Sequence, residues 1–214
     1  MMLASVVLEL LLLSCVVNAQ DGPAAVVRIL PGNEPAIGLL ALSPSPGGVT
    51  ISGTILGMRP GVHGFHVHER GDLTDKCAAA GGHFNPFNRN HGGPGYFERH
   101  VGDLGNIVAD QFGSAQVFIT DNHLSLDPTS PAFIGDRAIV IHAGADDLGQ
   151  GGNAGSLITG NAGSRAACGI IRLTYPSSQL VQQQPVYPQL QPTNIKAPAL
   201  PQSAHQIRFP SDSE

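Results

Sequence analysis

Tryptophan is absent from the chain, aromatic residues make up 5% of it and charged residues only 13%. That is poor material for a helical bundle, whose solvent faces need a dense supply of charged side chains, and it suits a loop-rich β protein better. Positive charge is scarcer still. With 11 Lys and Arg against 16 Asp and Glu, the formal charge is −5 and no basic cluster is visible. The footing that nucleic acid or an anionic membrane surface requires is therefore missing. No Asn-x-Ser/Thr sequon occurs, so N-linked sugar is not expected. No His-Glu-x-x-His motif occurs either, which removes the common zinc-protease signature. Beyond residue 19 no apolar run is long enough to span a bilayer.

Residues 1–19 form an apolar stretch with Val17 and Ala19 at the −3 and −1 positions of a cleavage before Gln20. This reads as a secretory leader, although it lacks a Lys or Arg at its start and carries Glu9 in its apolar run. The alternative, a membrane anchor, is disfavoured by its length and by Glu9. Removal of Glu9, the only charged side chain there, takes the formal charge from −5 to −4. Cys15 would leave with the leader, and the remaining pair, Cys77 and Cys168, suggests one disulfide in an oxidising compartment. Closing a loop of about 90 residues would stabilise the fold by about 4–5 kcal/mol in the chain-entropy account. Two unrelated buried thiols are the other reading.

With 27 glycines and 17 prolines in 214 residues, the chain is richly punctuated and long enough for one domain with appendages. Short β-branched runs separated by turn residues predict a meander: AVVRIL, AIGLLAL, VTISGTI and Val62–His68, then NIVAD, SAQVFIT, RAIVIH and CGIIRL. About eight strands with two long loops, Glu69–Asp103 and Ala143–Arg165, fit a sandwich or flattened barrel. Loops this long in a compact domain signal function or disorder. From Pro176 onward, seven prolines and eight glutamines with no apolar periodicity predict a disordered tail over 176–214. The domain itself is expected over 20–175.

Eight of the nine histidines fall between residues 63 and 142. His66 and His68 are two apart on a strand, so their rings share a face. His83, His91, His100 and Asp103 follow in the first loop, and His142 ends a later strand. Several nitrogens suit Cu(II), and three imidazoles with a carboxylate suit Zn(II), so seven candidate ligands point to two metals. His63 has the opposite strand parity and is expected to pack rather than ligate. Gly149, Gly151 and Ala154 satisfy a dinucleotide pattern, but no strand precedes them and no helical pattern follows.

The segments GFHVHERGD, AGGHFNP, HGGPG, ERHVGDLGN, HAGADDLGQGGN and GNAGSRAACG, in this order, resemble the copper/zinc superoxide dismutases over roughly Ala24–Leu173. The resemblance implies an eight-stranded antiparallel Greek-key β-sandwich, immunoglobulin-like, acting on superoxide with copper and zinc. It implies copper ligands His66, His68, His83 and His142, and zinc ligands His83, His91, His100 and Asp103, with the His83 ring shared. It further implies that Asp146 links His66 to His91, that Arg165 attracts and orients superoxide, and that Thr159 narrows the channel. A homodimer and a secreted, extracellular location are implied, with neither nucleic acid nor membrane as partner.

Two departures stand out. Residues 149–160 carry no charge where the family has acids and lysines, which predicts weak steering. Arg70 occupies a position near the family's dimer contact that is commonly apolar, while Phe133, Ile134 and Gly135 keep part of the apolar patch. The competing readings are a catalytically silent copper/zinc-binding module of the same fold and a single-metal cupin-type enzyme. The cupin expects a compact His/Glu cluster that this pattern does not match.

Overall fold

The computed structural model describes residues 24–174; the expected leader over 1–19 and the expected tail over 176–214 lie outside them. Eight antiparallel strands appear where the alternation placed them. They are β1 (Ala25–Pro31), β2 (Ile37–Ser45), β3 (Gly48–Leu56), β4 (Gly61–His68), β5 (Asp103–Ala109), β6 (Ala115–Asp121), β7 (Ala138–His142) and β8 (Arg165–Leu173). Their spatial order is β5-β4-β7-β8-β1-β2-β3-β6. The β5–β6 turn, where the Asp110 N–H donates to the Ser114 carbonyl, brings the two end strands together and nearly closes the barrel.

The core follows from period-2 alternation. Ala25, Val27 and Ile29 of β1, Leu40 and Leu42 of β2, Ile51 and Ile55 of β3, and Ile139 and Ile141 of β7 all point inward and are essentially solvent-free. Burying each large aliphatic side chain contributes about 1.5–3 kcal/mol. In β4 the inward residues Phe65 and Val67 alternate with His66 and His68, yet all four are buried. The outward face of this strand is therefore covered by the long loops, and that cover creates the histidine site.

The structure revises several boundaries. β5 begins at Asp103 rather than Asn106, β8 at Arg165 rather than Cys168, and β2 continues through Pro44, which pairs with Val49 of β3 beyond the end of its β1 pairing. Proline is tolerated where only one neighbouring strand makes demands on the backbone. The second loop contains one helical turn, α1 (Ser156–Thr159), where no helical pattern was expected. Four residues are too few for periodicity to register, and no strand leads directly into the glycines before it, so the dinucleotide reading still fails. A short 3-10 turn, Ala78–Ala80, interrupts the first loop.

Cys77 and Cys168 are joined, with Cα atoms 6.1 Å apart and a sequence separation of 91. They pack with Ala80, Ala138 and Val140 in a small second core. Asp75, Lys76 and Cys77 all adopt positive φ, at 51°, 51° and 73°. Such a left-handed run costs about 1–2 kcal/mol per residue, and here the Cys77 N–H donates to the Leu73 carbonyl and the Ala78 N–H to the Asp75 carbonyl across it. Among the described residues no helix is long and apolar enough to cross a membrane.

Candidate metal centre

Strand register assembles the site. In β4, His66 and His68 lie opposite Val140 and Ala138 of β7. His66 also lies opposite Asp103 across a bulge in the β4–β5 ladder. A second register shift, between Ile141 and His142, sets His142 opposite Arg165 of β8. His83 reaches the same place by an isolated bridge to His68. One ligand atom from each of His66, His68, His83 and His142 falls within a 4.8 Å set, and so does one from each of His83, His91, His100 and Asp103. His83 alone belongs to both sets.

The outer hydrogen bonds decide which nitrogen of each ring faces inward. The Nδ1 atoms of His68 and His142 meet the carbonyls of Gly81 and Gly163 at 2.9 and 3.1 Å. A carbonyl only accepts, so each Nδ1 carries the proton. The two Nε2 atoms then present lone pairs to each other at 3.2 Å, a repulsive arrangement unless a cation lies between them. His66 Nε2 is committed to Asp146 at 2.9 Å, leaving its buried Nδ1 without a partner, as is the buried Nε2 of His83. Burial first, and then the neighbouring imidazoles, lower the pKa of His66 and His68 well below the ordinary value. Burial lowers His142 to about 4. These rings are neutral near pH 7, as metal ligands must be.

The second set is built around a carboxylate. Asp103 Oδ2 accepts the backbone N–H groups of His100 and Gly92 at 2.8 and 3.1 Å. Its Oδ1 faces His83 Nδ1 at 2.8 Å and the Nδ1 atoms of His91 and His100 at 3.0 Å each. Burial alone would raise the Asp103 pKa, but its bonds to His100, His83 and His91 hold it far below the carboxylate range. Three imidazole nitrogens around one carboxylate oxygen are the donor set of a tetrahedral zinc site. Burial alone would lower His91, but its bonds to Asp103 and Asp146 raise it to about 9.

Asp146 lies between the two sets, with Oδ2 on His66 Nε2 and Oδ1 on His91 Nε2 at 2.9 and 2.8 Å. Burial would raise its pKa, and the two rings depress it. Asn106 of β5 clamps the Asp146 peptide, accepting its N–H and donating to its carbonyl at 2.8 and 2.9 Å. Sequence reading missed Asn106; the available signal was a β-disfavoured amide inside a strand. Gly160 closes the arrangement. Its φ is +63°, and a Cβ there would collide with Asp146 Oδ1 and crowd His91 Nε2.

A cleft of about 390 Å³ opens on the first set, lined by His68, His83, His142, Thr159, Asn161 and Arg165. The Arg165 guanidinium donates to the carbonyls of Cys77, Ala78 and Gly81, and no carboxylate forms an ion pair with it among the described residues. Its charge is thus fixed in place and left unneutralised at the cleft. Asn161 was not foreseen. It adopts φ 51° and is anchored by Asp147 at 2.6 Å, and its only sequence cue is its place after Gly160. His63 is not among the converging rings; its Nδ1 and Nε2 face the carbonyls of His142 and Arg59, both at 2.8 Å.

Arg70 is exposed and paired with Glu69 at 3.0 Å. The expected apolar patch at 133–135 is smaller than the sequence suggested. Ile134 and Gly135 are buried inside the chain itself, because residue 134 joins the main core, and only Phe133 is partly exposed.

Residues 37–171 match the family model described as copper/zinc superoxide dismutase. The extracellular superoxide dismutase (Cu-Zn) of Onchocerca volvulus is 47% identical over 156 residues, covering 71% of this chain and 77% of that protein. Superoxide dismutase (Cu-Zn) 3 of Arabidopsis thaliana is 46% identical over 157 residues, covering 73% of this chain and 94% of that one. A solved structure described as a crystal structure analysis of the clock protein EA4 superposes with a TM-score of 0.66 at 39% identity, over 73% of this chain and 99% of its own.

Proposed function

The chain belongs to the copper/zinc superoxide dismutase family, and from that membership we propose how its own residues divide the work. It is an oxidoreductase that converts two superoxide anions and two protons to oxygen and hydrogen peroxide, with copper and zinc as cofactors. His66 Nδ1, His68 Nε2, His142 Nε2 and His83 Nε2 would hold copper. His83 Nδ1, His91 Nδ1, His100 Nδ1 and Asp103 Oδ1 would hold zinc. When bound, copper supplies a one-electron acceptor and donor, and zinc supplies a fixed positive charge.

Arg165 draws the monoanion into the cleft and orients it with the guanidinium N–H groups that the carbonyls of Cys77, Ala78 and Gly81 leave free. Thr159 and Asn161 narrow the entrance and exclude larger anions. His83 Nε2 would carry the proton needed as peroxide forms only while it is not serving as a copper donor, and His83 Nδ1 would stay on the zinc side throughout and keep the ring in place. Asp146 fixes the tautomers of His66 and His91 together. The observation that carries this reading is the facing of lone pairs at His68 and His142, with every outer nitrogen of the copper set already committed. A silent metal-binding module would have lost a ligand or the channel arginine, and both are present.

We further propose a catalytic domain over 20–175, a homodimer, and secretion into an oxidising extracellular space. The Cys77–Cys168 bond and the extracellular relative support the location. The negative formal charge supports a function without nucleic acid or membrane. Metal analysis of the purified protein beside a superoxide-consumption assay tests the reading. One copper and one zinc per chain with rapid turnover is expected, and loss of both in His83→Ala. A stable protein that binds both metals without turnover would replace the enzyme with the silent module.

A further inference from the structure

A second cleft, of about 370 Å³, lies on the outer side of the first long loop, between segments 87–101 and 122–132, and shares no lining residue with the copper-side cleft. Its walls include Phe87, Arg89, Phe97, Arg99 and His123, with Ser130 at one side, and no Asp or Glu lines it. That volume is within the range, about 300–1,000 Å³, of small-molecule sites.

The two arginines play different parts. Arg99 is buried and its charge is paired: it meets Asp121 at 2.7 Å and donates to the Asp103 carbonyl at 2.6 Å, with its Nε left without a partner. Arg89 is not spent. Its Cζ lies 4.3 Å over the Phe97 ring, one nitrogen donates to the Phe97 carbonyl, and no ion pair engages it among the described residues. Of the acids in these segments, Asp121 is paired with Arg99 and accepts the His123 backbone N–H, while Glu98 accepts the Asn90 backbone N–H at 3.1 Å and forms no ion pair among the described residues. Burial and then the Arg99 charge lower the His123 pKa, Asp121 opposes them, and Arg89 adds a smaller lowering. Among the lining residues, Phe97 is 81% exposed and Phe87 52%, so two aromatic rings are open to solvent at this cleft.

An unneutralised forked donor stacked on one aromatic ring beside a second exposed ring matches a ligand with a flat apolar body and a carboxylate end. We propose that this cleft is a binding site for a small aromatic carboxylate, with the carboxylate on Arg89 and the ring against Phe97 and Phe87. The site is separate from the dismutation site.

The test is calorimetric titration of the metal-loaded full chain with benzoate. One saturable site is expected, weakened at least about tenfold in Arg89→Gln and retained in Arg165→Gln, whose change lies at the copper-side cleft. Benzamide, the uncharged analogue, should bind the unaltered protein at least about tenfold more weakly than benzoate, which keeps the test decisive if Arg89→Gln fails to fold. No saturable binding, equal binding of benzamide, or binding abolished by Arg165→Gln and untouched by Arg89→Gln would overturn the proposal.

Discussion

The halves of the centre proposed for copper and for zinc meet at His83 and differ in charge and in access. The copper-side half is four imidazoles, with His66, His68 and His142 neutral through burial, and it opens into the cleft that holds Arg165. The zinc-side half contains a fully buried carboxylate, Asp103, ringed by three imidazoles. The open half can meet an anion and exchange an electron. The other half holds a cation in place and tunes the shared ring. The difference teaches that one shared ring, His83, can join two unlike halves when a carboxylate, Asp103, stands among the candidate ligands of only one of them.

The largest break in that comparison comes from Arg165→Ala. It removes the unneutralised cation of the open half and should lower kcat/KM about ten- to a hundredfold with both metals still bound. Arg165→Lys should recover only part of this, since an ammonium cannot span the carbonyls of Cys77, Ala78 and Gly81. Steady-state superoxide consumption checks both.

Asp146→Ala acts where the halves join. Loss of the common partner of His66 and His91 should weaken zinc binding about ten- to a hundredfold, measured by competition with a chelator. Proton release separates the halves next. With its pKa raised to about 9, metal-free His91 carries a proton at pH 7 and must lose it when zinc binds. His142, lowered to about 4, is already neutral, as are His66 and His68. Zinc uptake should therefore release about one proton at pH 7 and copper uptake at these three rings none, read by calorimetry in buffers of different ionisation enthalpy. The smallest effect expected is on salt dependence. Residues 149–160 carry no charge, and Leu157 and Ile158 of that loop are exposed. The dismutation rate should then fall only shallowly with ionic strength, and a steep fall would show that other charges steer.

Much of this was legible in the sequence because period-2 alternation needs no long-range information. It located all eight strands and put His66 and His68 on one face. The side chains that converge were legible through the order of the motifs around His83, His91, His100 and His142. What stayed hidden depends on register or on single hydrogen bonds. The bulge that sets His142 opposite Arg165 leaves no local trace, and neither does the extension of β5 to Asp103. Asn106 and Asn161 matter through one or two contacts each, which composition does not report. Ile134, read as surface, is buried because apolar character alone does not tell an outward face from an inward one.

The most direct test of the shared ring is anomalous diffraction from crystals of the metal-loaded protein, recorded at the copper and zinc absorption edges. Two ions, one at each nitrogen of His83, with copper at Nε2 and zinc at Nδ1, are the predicted result. A single ion per chain, or two ions with no common imidazole, would contradict the account.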